Sequence, residues 1–144
     1  MLKLILKVVF AASIVLFLSS CQKPKGFPNR GSCFGAVTGA MGALRTYMNE
    51  KGRLPFVNGN AIQALREAGV QDEELQLVEY ANDRGIVPDA SSPTTIILIC
   101  RIAHAPDNGK YVALLSGEIM YVPGGAASLG MPLGDKVGKK VDHR

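Results

Sequence analysis

The stretch TTIILICRI, residues 94–102, decides the fold. It is rich in β-branched residues and almost continuously apolar, which is typical of a central strand of a sheet. Two further strand-like runs follow at residues 110–115 and 118–122, and Ser116-Gly117 between them is typical of a tight hairpin turn. These runs predict a small antiparallel sheet of about three strands.

A long helix is predicted upstream, over residues 33–50, because apolar residues recur there at intervals of three and four. These residues are Phe34, Val37, Met41, Leu44, Tyr47 and Met48. Gly52 follows as a C-terminal stop signal. Gly35, Gly39 and Gly42 each weaken an isolated helix by about 1 kcal/mol. Their presence predicts close packing of this helix against a neighbouring element.

Two shorter helices are expected between the long helix and the sheet. Asn60 suits the cap of a helix over residues 61–68. Residues 71–83 begin with three acidic residues that complement a helix N-terminus, so this segment is predicted as the third helix. Helices followed by antiparallel strands predict an α+β fold, with a long N-terminal helix and short helices before the sheet.

The first twenty residues have the layout of a secretory signal peptide. Lys3 and Lys7 give a short basic start, and residues 4–18 are almost wholly apolar. This run of about fifteen residues is too short to cross a bilayer core of about 30 Å comfortably. Residues 18–21, Leu-Ser-Ser-Cys, resemble a bacterial lipobox, in which Cys21 becomes the acylated N-terminus. The alternative is a plain signal peptide or short anchor in which Cys21 is incidental.

The resulting domain organisation has four parts. Residues 1–20 are predicted as a lipoprotein signal peptide and residues 21–32, rich in Pro, Gly and charge, as a flexible tether. Residues 33–122 form a single α+β domain, and residues 123–144 an extended or disordered tail.

Charge gives little support for a nucleic-acid partner. The chain carries a formal net charge of +4, but two of its basic residues lie in the predicted signal peptide. The remaining cluster, Lys136, Lys139 and Lys140, has no aromatic residues interleaved with it for base stacking. A solvated tail explains it, and no nucleic-acid partner is expected.

The cysteine count fits an exported protein. If Cys21 carries lipid such as palmitate, Cys33 and Cys100 remain as an even pair in an oxidising compartment. We expect a disulfide between them. The alternative is two separate buried thiols, because free cysteine behaves as a small apolar residue.

Catalytic groups are scarce. The chain has two histidines, His104 and His143, the second in the predicted tail. Cys100 and His104 are four residues apart, roughly 13 Å along a straight strand, which is too far for a hydrogen bond. A small thiol hydrolase using Cys33 and His104 stays open as the alternative function. The expectation is that the protein is not an enzyme.

No metal site or cofactor is predicted. No His/Cys pair has the short spacing of zinc ligands. Asp107 and Asn108 beside Gly109 offer oxygen atoms for calcium, but the same three residues are typical of a backbone turn. The turn is the preferred interpretation.

Two patches of the chain resemble the major pseudopilins of type II secretion systems and their pilin-like relatives. Residues 33–37 and 47–55 resemble the family's amphipathic helix with a Tyr-containing turn and a Gly-x-x-Pro exit, and residues 109–122 resemble its closing hairpin. The chain departs from the family in its lipobox, in the lack of an acid in its apolar segment, and in Ser116, where the family usually has Asp.

The resemblance implies a pilin-like head placed on a lipid anchor rather than in a fibre. The expected function is that of a non-catalytic binding or structural lipoprotein, lipid-anchored in the bacterial cell envelope through acylated Cys21, with an envelope or secretion-system protein as possible partner. Gln22, where Asp would act as a retention signal, favours the outer membrane if the cell has one.

Overall fold

The computed structural model describes residues 30–81, 86, 91–134 and 138–141. The elements in chain order are α1 (Arg30–Lys51), α2 (Ala61–Glu67), α3 (Asp72–Leu75), β1 (Val78–Tyr80), β2 (Ile96–Cys100), β3 (Lys110–Leu114), β4 (Ile119–Val122) and β5 (Lys139–Lys140). The signal peptide, Cys21 and most of the predicted tether lie outside the described residues. The long helix begins at Arg30, three residues before its predicted start.

The five strands form one antiparallel sheet in the order β1-β2-β3-β4-β5. The predicted α+β class is confirmed. The predicted count of about three strands is wrong, because β1 and β5 add a strand at each side of the predicted three.

The segment predicted as the third helix divides into a helix and a strand. Only Asp72–Leu75 is helical, and Val78–Tyr80 then pairs with β2. Val78 and Tyr80 are buried while Glu79 between them is half-buried, so the alternation of a strand replaces the helical period there. Three residues are too few for this alternation to stand out against the helical pattern around them.

One face of the sheet is covered by α1. The helix buries a stripe of small and apolar side chains, namely Cys33, Ala36, Val37, Ala40, Met41 and Leu44. They join one core cluster with Leu98 and Cys100 of β2, Ala113 of β3 and Ile119 of β4. The helix therefore lies across the middle of the sheet.

The opposite face of the sheet is covered by the segment after β4. Ile96, Ile99 and Val112 form a second core cluster with buried Leu133, and Leu129 packs against it. Backbone hydrogen bonds fix this covering segment, for example from the Leu133 N–H to the Thr94 carbonyl at 2.9 Å and from the Ile96 N–H to the Met131 carbonyl at 3.0 Å. The tail expected to be extended or disordered thus supplies part of the core. Burial on both faces explains why β2 is apolar throughout.

Of the three α1 glycines considered above, Gly35, Gly39 and Gly42, close packing explains only one. A Cβ atom added at Gly39 would overlap the Glu74 carboxylate. Gly35 and Gly42 are exposed, and a Cβ atom at either would have no neighbour within 4 Å. The predicted close contact is therefore wrong at these two positions.

Candidate functional site

Cys33 and Cys100 join the helix to the sheet. Cys33 lies in the first turns of α1 and Cys100 is the last residue of β2, with their Cα atoms 5.9 Å apart and their sulfur atoms at bonding distance. This Cα separation is typical of a disulfide. Neither side chain has any exposed surface. The predicted pair therefore lies in the main core, between α1 and the sheet.

His104 lies next to the disulfide. β2 ends at Cys100, the chain bends at residues 101 and 102, and His104 then forms an antiparallel bridge with Gly109. The bend brings the Nε2 atom of His104 to 4.0 Å from the Sγ atom of Cys100. The separation of roughly 13 Å expected for a straight strand is therefore wrong. The imidazole is only 6% exposed.

The three side chains of Cys33, Cys100 and His104 form one buried cluster, called here the Cys-His cluster. One potential ligand atom of each lies within 4.8 Å of those of the other two. Spacing along the sequence gave no indication of this cluster, because 67 positions separate the two cysteines. Only the packing of α1 on β2, together with the bend after Cys100, brings the three together.

The loop after His104 is a tight connection into β3. The Asp107 carboxylate accepts a hydrogen bond from the Gly109 N–H at 3.2 Å and another from the Tyr121 hydroxyl. The Gly124 N–H donates to the Asp107 carbonyl at 2.9 Å. Asn108 has a φ of 52°, which asparagine tolerates better than most residues. The turn predicted for Asp-Asn-Gly is therefore formed.

A row of aromatic rings packs beside the Cys-His cluster. The ring centroid of Tyr111 lies 5.5 Å from that of Phe34 on α1, 5.6 Å from that of His104 and 5.2 Å from that of Tyr121, all in edge-to-face geometry. This row of rings was not predicted from the sequence. The Ser116-Gly117 turn sets a hairpin register in which Tyr111 lies opposite Tyr121, so this one pair of rings could have been predicted. Within this row, the Tyr111 ring packs directly against the imidazole of His104.

The cluster in this state has little capacity for nucleophilic chemistry. A thiol nucleophile must be a free thiolate that a substrate can reach. Here the sulfur atoms of Cys33 and Cys100 are bonded to each other and neither side chain is exposed. His143 and Cys21 lie outside the described residues.

The surface offers a second candidate region around α2 and α3. A shallow groove there is lined by Ile62, Arg66, Asp72, Leu75, Gln76 and Arg101. Arg66 and Asp72 form an exposed ion pair at 3.2 Å along it. Ile62 is 44% exposed, and Phe56, in the loop before α2, is 54% exposed. The groove thus combines exposed Ile62 with polar and charged side chains, a composition typical of the rim of a protein-binding surface.

Within the described part of the chain, no helix combines the length and the hydropathy needed to cross a bilayer. Comparison with protein-family models, with curated proteins and with solved structures finds no match for this chain. What the protein does must therefore be argued from the geometry above.

Proposed function

We propose that this protein is a membrane-anchored envelope lipoprotein whose α+β domain is a non-catalytic, pilin-like binding or structural module. The observation that carries the proposal is the state of Cys33. The residue best suited to be a nucleophile is buried, bonded to Cys100 and used to attach α1 to the sheet. Cys33 therefore has a structural role in this proposal.

The proposed anchor determines which end of the domain is near the membrane. If Cys21 is acylated, the eight residues 22–29 connect it to Arg30, the first residue of α1. Even fully extended, they reach at most about 30 Å. The Cys33 end of α1 is therefore the membrane-proximal end in this proposal.

The opposite end of α1 then faces away from the membrane. A helix of 22 residues is about 33 Å long, so Lys51 lies that distance from Arg30. Exposed Phe56 follows soon after Lys51, in the loop before α2, and this end of the domain is called here the distal surface. We place the contact with an envelope or secretion-system protein on this distal surface.

The architecture is compatible with the pilin-like resemblance. A long helix laid on an antiparallel sheet is the arrangement that the resemblance implies. The alternative function, a thiol hydrolase using Cys33 and His104, receives less support, because it requires a free and accessible Cys33.

Mass spectrometry of the mature N-terminal peptide tests the anchor. The expected result is a peptide beginning at Cys21 and carrying acyl chains, in a protein that fractionates with membranes. A Cys21→Ser variant should remain unprocessed and lack the acyl mass. An N-terminus at any other residue would contradict the proposal.

Site-specific photo-crosslinking tests the distal surface. A photoreactive residue at position 56 should give a discrete adduct in intact cells, and the same residue at exposed position 32, at the Cys33 end of α1, serves as the control. Equal labelling at both positions would show that the distal surface is not a specific contact.

A further inference from the structure

The Cys-His cluster contains the donor atoms of a metal site. Two sulfur atoms and the Nε2 atom of an imidazole converge from α1, the end of β2 and the bend after it. Cys33 and Cys100 are fully buried and His104 is 6% exposed. Thiolate and imidazole are the donors that zinc prefers in proteins.

The distances suit zinc with little rearrangement. Zn–S bonds of about 2.3 Å and Zn–N bonds of about 2.0 to 2.1 Å place the ligand atoms of a tetrahedral ion roughly 3.5 to 3.8 Å apart. The Cys100 Sγ and His104 Nε2 atoms are already 4.0 Å apart. The Cys33 sulfur atom has to move away from its partner when the disulfide opens, and Nε2 has to approach the Cys100 Sγ atom by a few tenths of an ångström.

Charge balance also favours zinc. Two thiolates and a neutral imidazole around Zn²⁺ form a site with no net charge, which is what a buried position requires. Cu⁺ in the same site would leave one uncompensated negative charge. No fourth His, Cys, Asp or Glu atom joins the cluster within the described residues, so a water molecule would complete the coordination.

We propose that reduction converts the Cys33–Cys100 disulfide into a zinc site formed by Cys33, Cys100 and His104. A dithiol reductant supplies two electrons and two protons to the disulfide, giving two thiols, and becomes a disulfide itself. Zn²⁺ then displaces both thiol protons and binds the two thiolates and Nε2. The metal takes over the link between α1 and β2 that the covalent bond provides under oxidising conditions.

A zinc titration of the oxidised and the reduced protein tests this site. The full chain carrying Cys21→Ser, purified in detergent, removes the third thiol as a competing ligand. A phosphine reductant is used because dithiols themselves bind zinc, and a chromogenic chelator competes for the metal. We expect one equivalent of Zn²⁺ per reduced chain and none per oxidised chain.

Histidine variants identify the third ligand. Loss of a group that merely supports a metal ligand weakens binding by about 10- to 100-fold, and loss of a ligand should cost at least as much. His104→Gln should therefore weaken zinc binding by at least about tenfold, whereas His143→Gln, at the only other histidine, should have no effect. Reduced Cys33→Ser should also lose tight binding.

Several outcomes would overturn the proposal. They are equal binding by the oxidised and reduced chains, zinc affinity unchanged by His104→Gln, and uptake of Cu⁺ but not Zn²⁺ by the reduced protein. Circular dichroism covers the case in which reduction unfolds the chain. One equivalent of Zn²⁺ should then restore the spectrum of the oxidised protein, and a reduced chain that zinc does not refold would contradict the assignment.

Discussion

The hydroxyl of Tyr80 donates a hydrogen bond to the carbonyl oxygen of Pro55, 2.9 Å away in the buried interior. This bond joins β1 to the segment that leaves α1. β1 is only three residues long, so its position depends on such contacts as well as on its pairing with β2.

Removal of this hydroxyl should destabilise the domain. Tyr80→Phe keeps the ring in the core but leaves the Pro55 carbonyl without this donor, which costs about 1 to 3 kcal/mol for a buried acceptor. Urea unfolding at pH 8 measures the change. Tyr47→Phe, at a half-buried position on α1, is the matched control and should have a smaller effect. Equal losses for the two variants would show that the bond to Pro55 is not the cause.

Alkaline pH should reduce the difference between wild type and Tyr80→Phe. Burial, and secondarily the neighbouring Tyr47, raise the pKa of Tyr80 well above its usual value near 10. At pH values above about 10, the hydroxyl of Tyr80 loses its proton in the unfolded chain but keeps it in the folded chain. Stability therefore falls as pH rises, by about 1.4 kcal/mol per pH unit from this group.

Tyr80→Phe has no hydroxyl to titrate at this position. The difference in unfolding free energy between wild type and Tyr80→Phe should therefore shrink between pH 10 and 11. Urea unfolding at both pH values, with tyrosinate absorbance recorded in parallel, measures the effect. A stability difference between wild type and Tyr80→Phe that stays constant or grows over this range would contradict the raised pKa of Tyr80.

Loss of the Cys33–Cys100 disulfide should strongly lower the free energy of unfolding. The bond closes a loop between positions that are 67 residues apart. The chain-entropy model gives a contribution on the order of 4 kcal/mol for such a loop. The double variant Cys33→Ala/Cys100→Ala should lose about 2 to 4 kcal/mol in denaturant unfolding, whereas Cys21→Ser should lose none. A double variant as stable as the wild type would mean that the bond does not form in the native protein.

Two glycine-to-alanine substitutions should change the stability of the domain in opposite directions. A Cβ atom at Gly109 would overlap the Tyr121 ring, whose hydroxyl is bonded to Asp107, so Gly109→Ala should cost about 1 to 3 kcal/mol. Gly42 is exposed on α1 with open space around it, so Gly42→Ala should stabilise the domain by about 0.5 to 1 kcal/mol. Thermal unfolding of both variants measures the pair. Destabilisation by Gly42→Ala would show that this surface is occupied in the native protein.

The central part of the fold could be predicted because its signals are local. β2 to β4 lie within one or two residues of the predicted strands, and the Ser116-Gly117 turn sets the pairing of β3 with β4. Continuous apolar character and turn chemistry act over fewer than ten residues, so the sequence shows them directly. β5 comprises two exposed lysines, and its pairing with β4 leaves no hydrophobic pattern to recognise.

The candidate site was harder to predict because it depends on long-range geometry. The two cysteines could be paired by counting, but the position of His104 depends on a bend at residues 101 and 102 that has no Gly or Pro to signal it. The row of rings around Tyr111 depends on where α1 crosses the sheet. Both follow from tertiary packing, which sequence periodicity does not encode.

The covering of the second sheet face by the segment around Leu133 has a consequence for how the protein is made. A chain ending at Val122 would contain α1 and four of the five strands, yet Ile96, Ile99 and Val112 would be open to water on one face. Such a truncated chain exposes an apolar sheet surface and is expected to aggregate. Completion of the core is therefore one of the last events of synthesis, and residues beyond 122 belong in any fragment expressed for study.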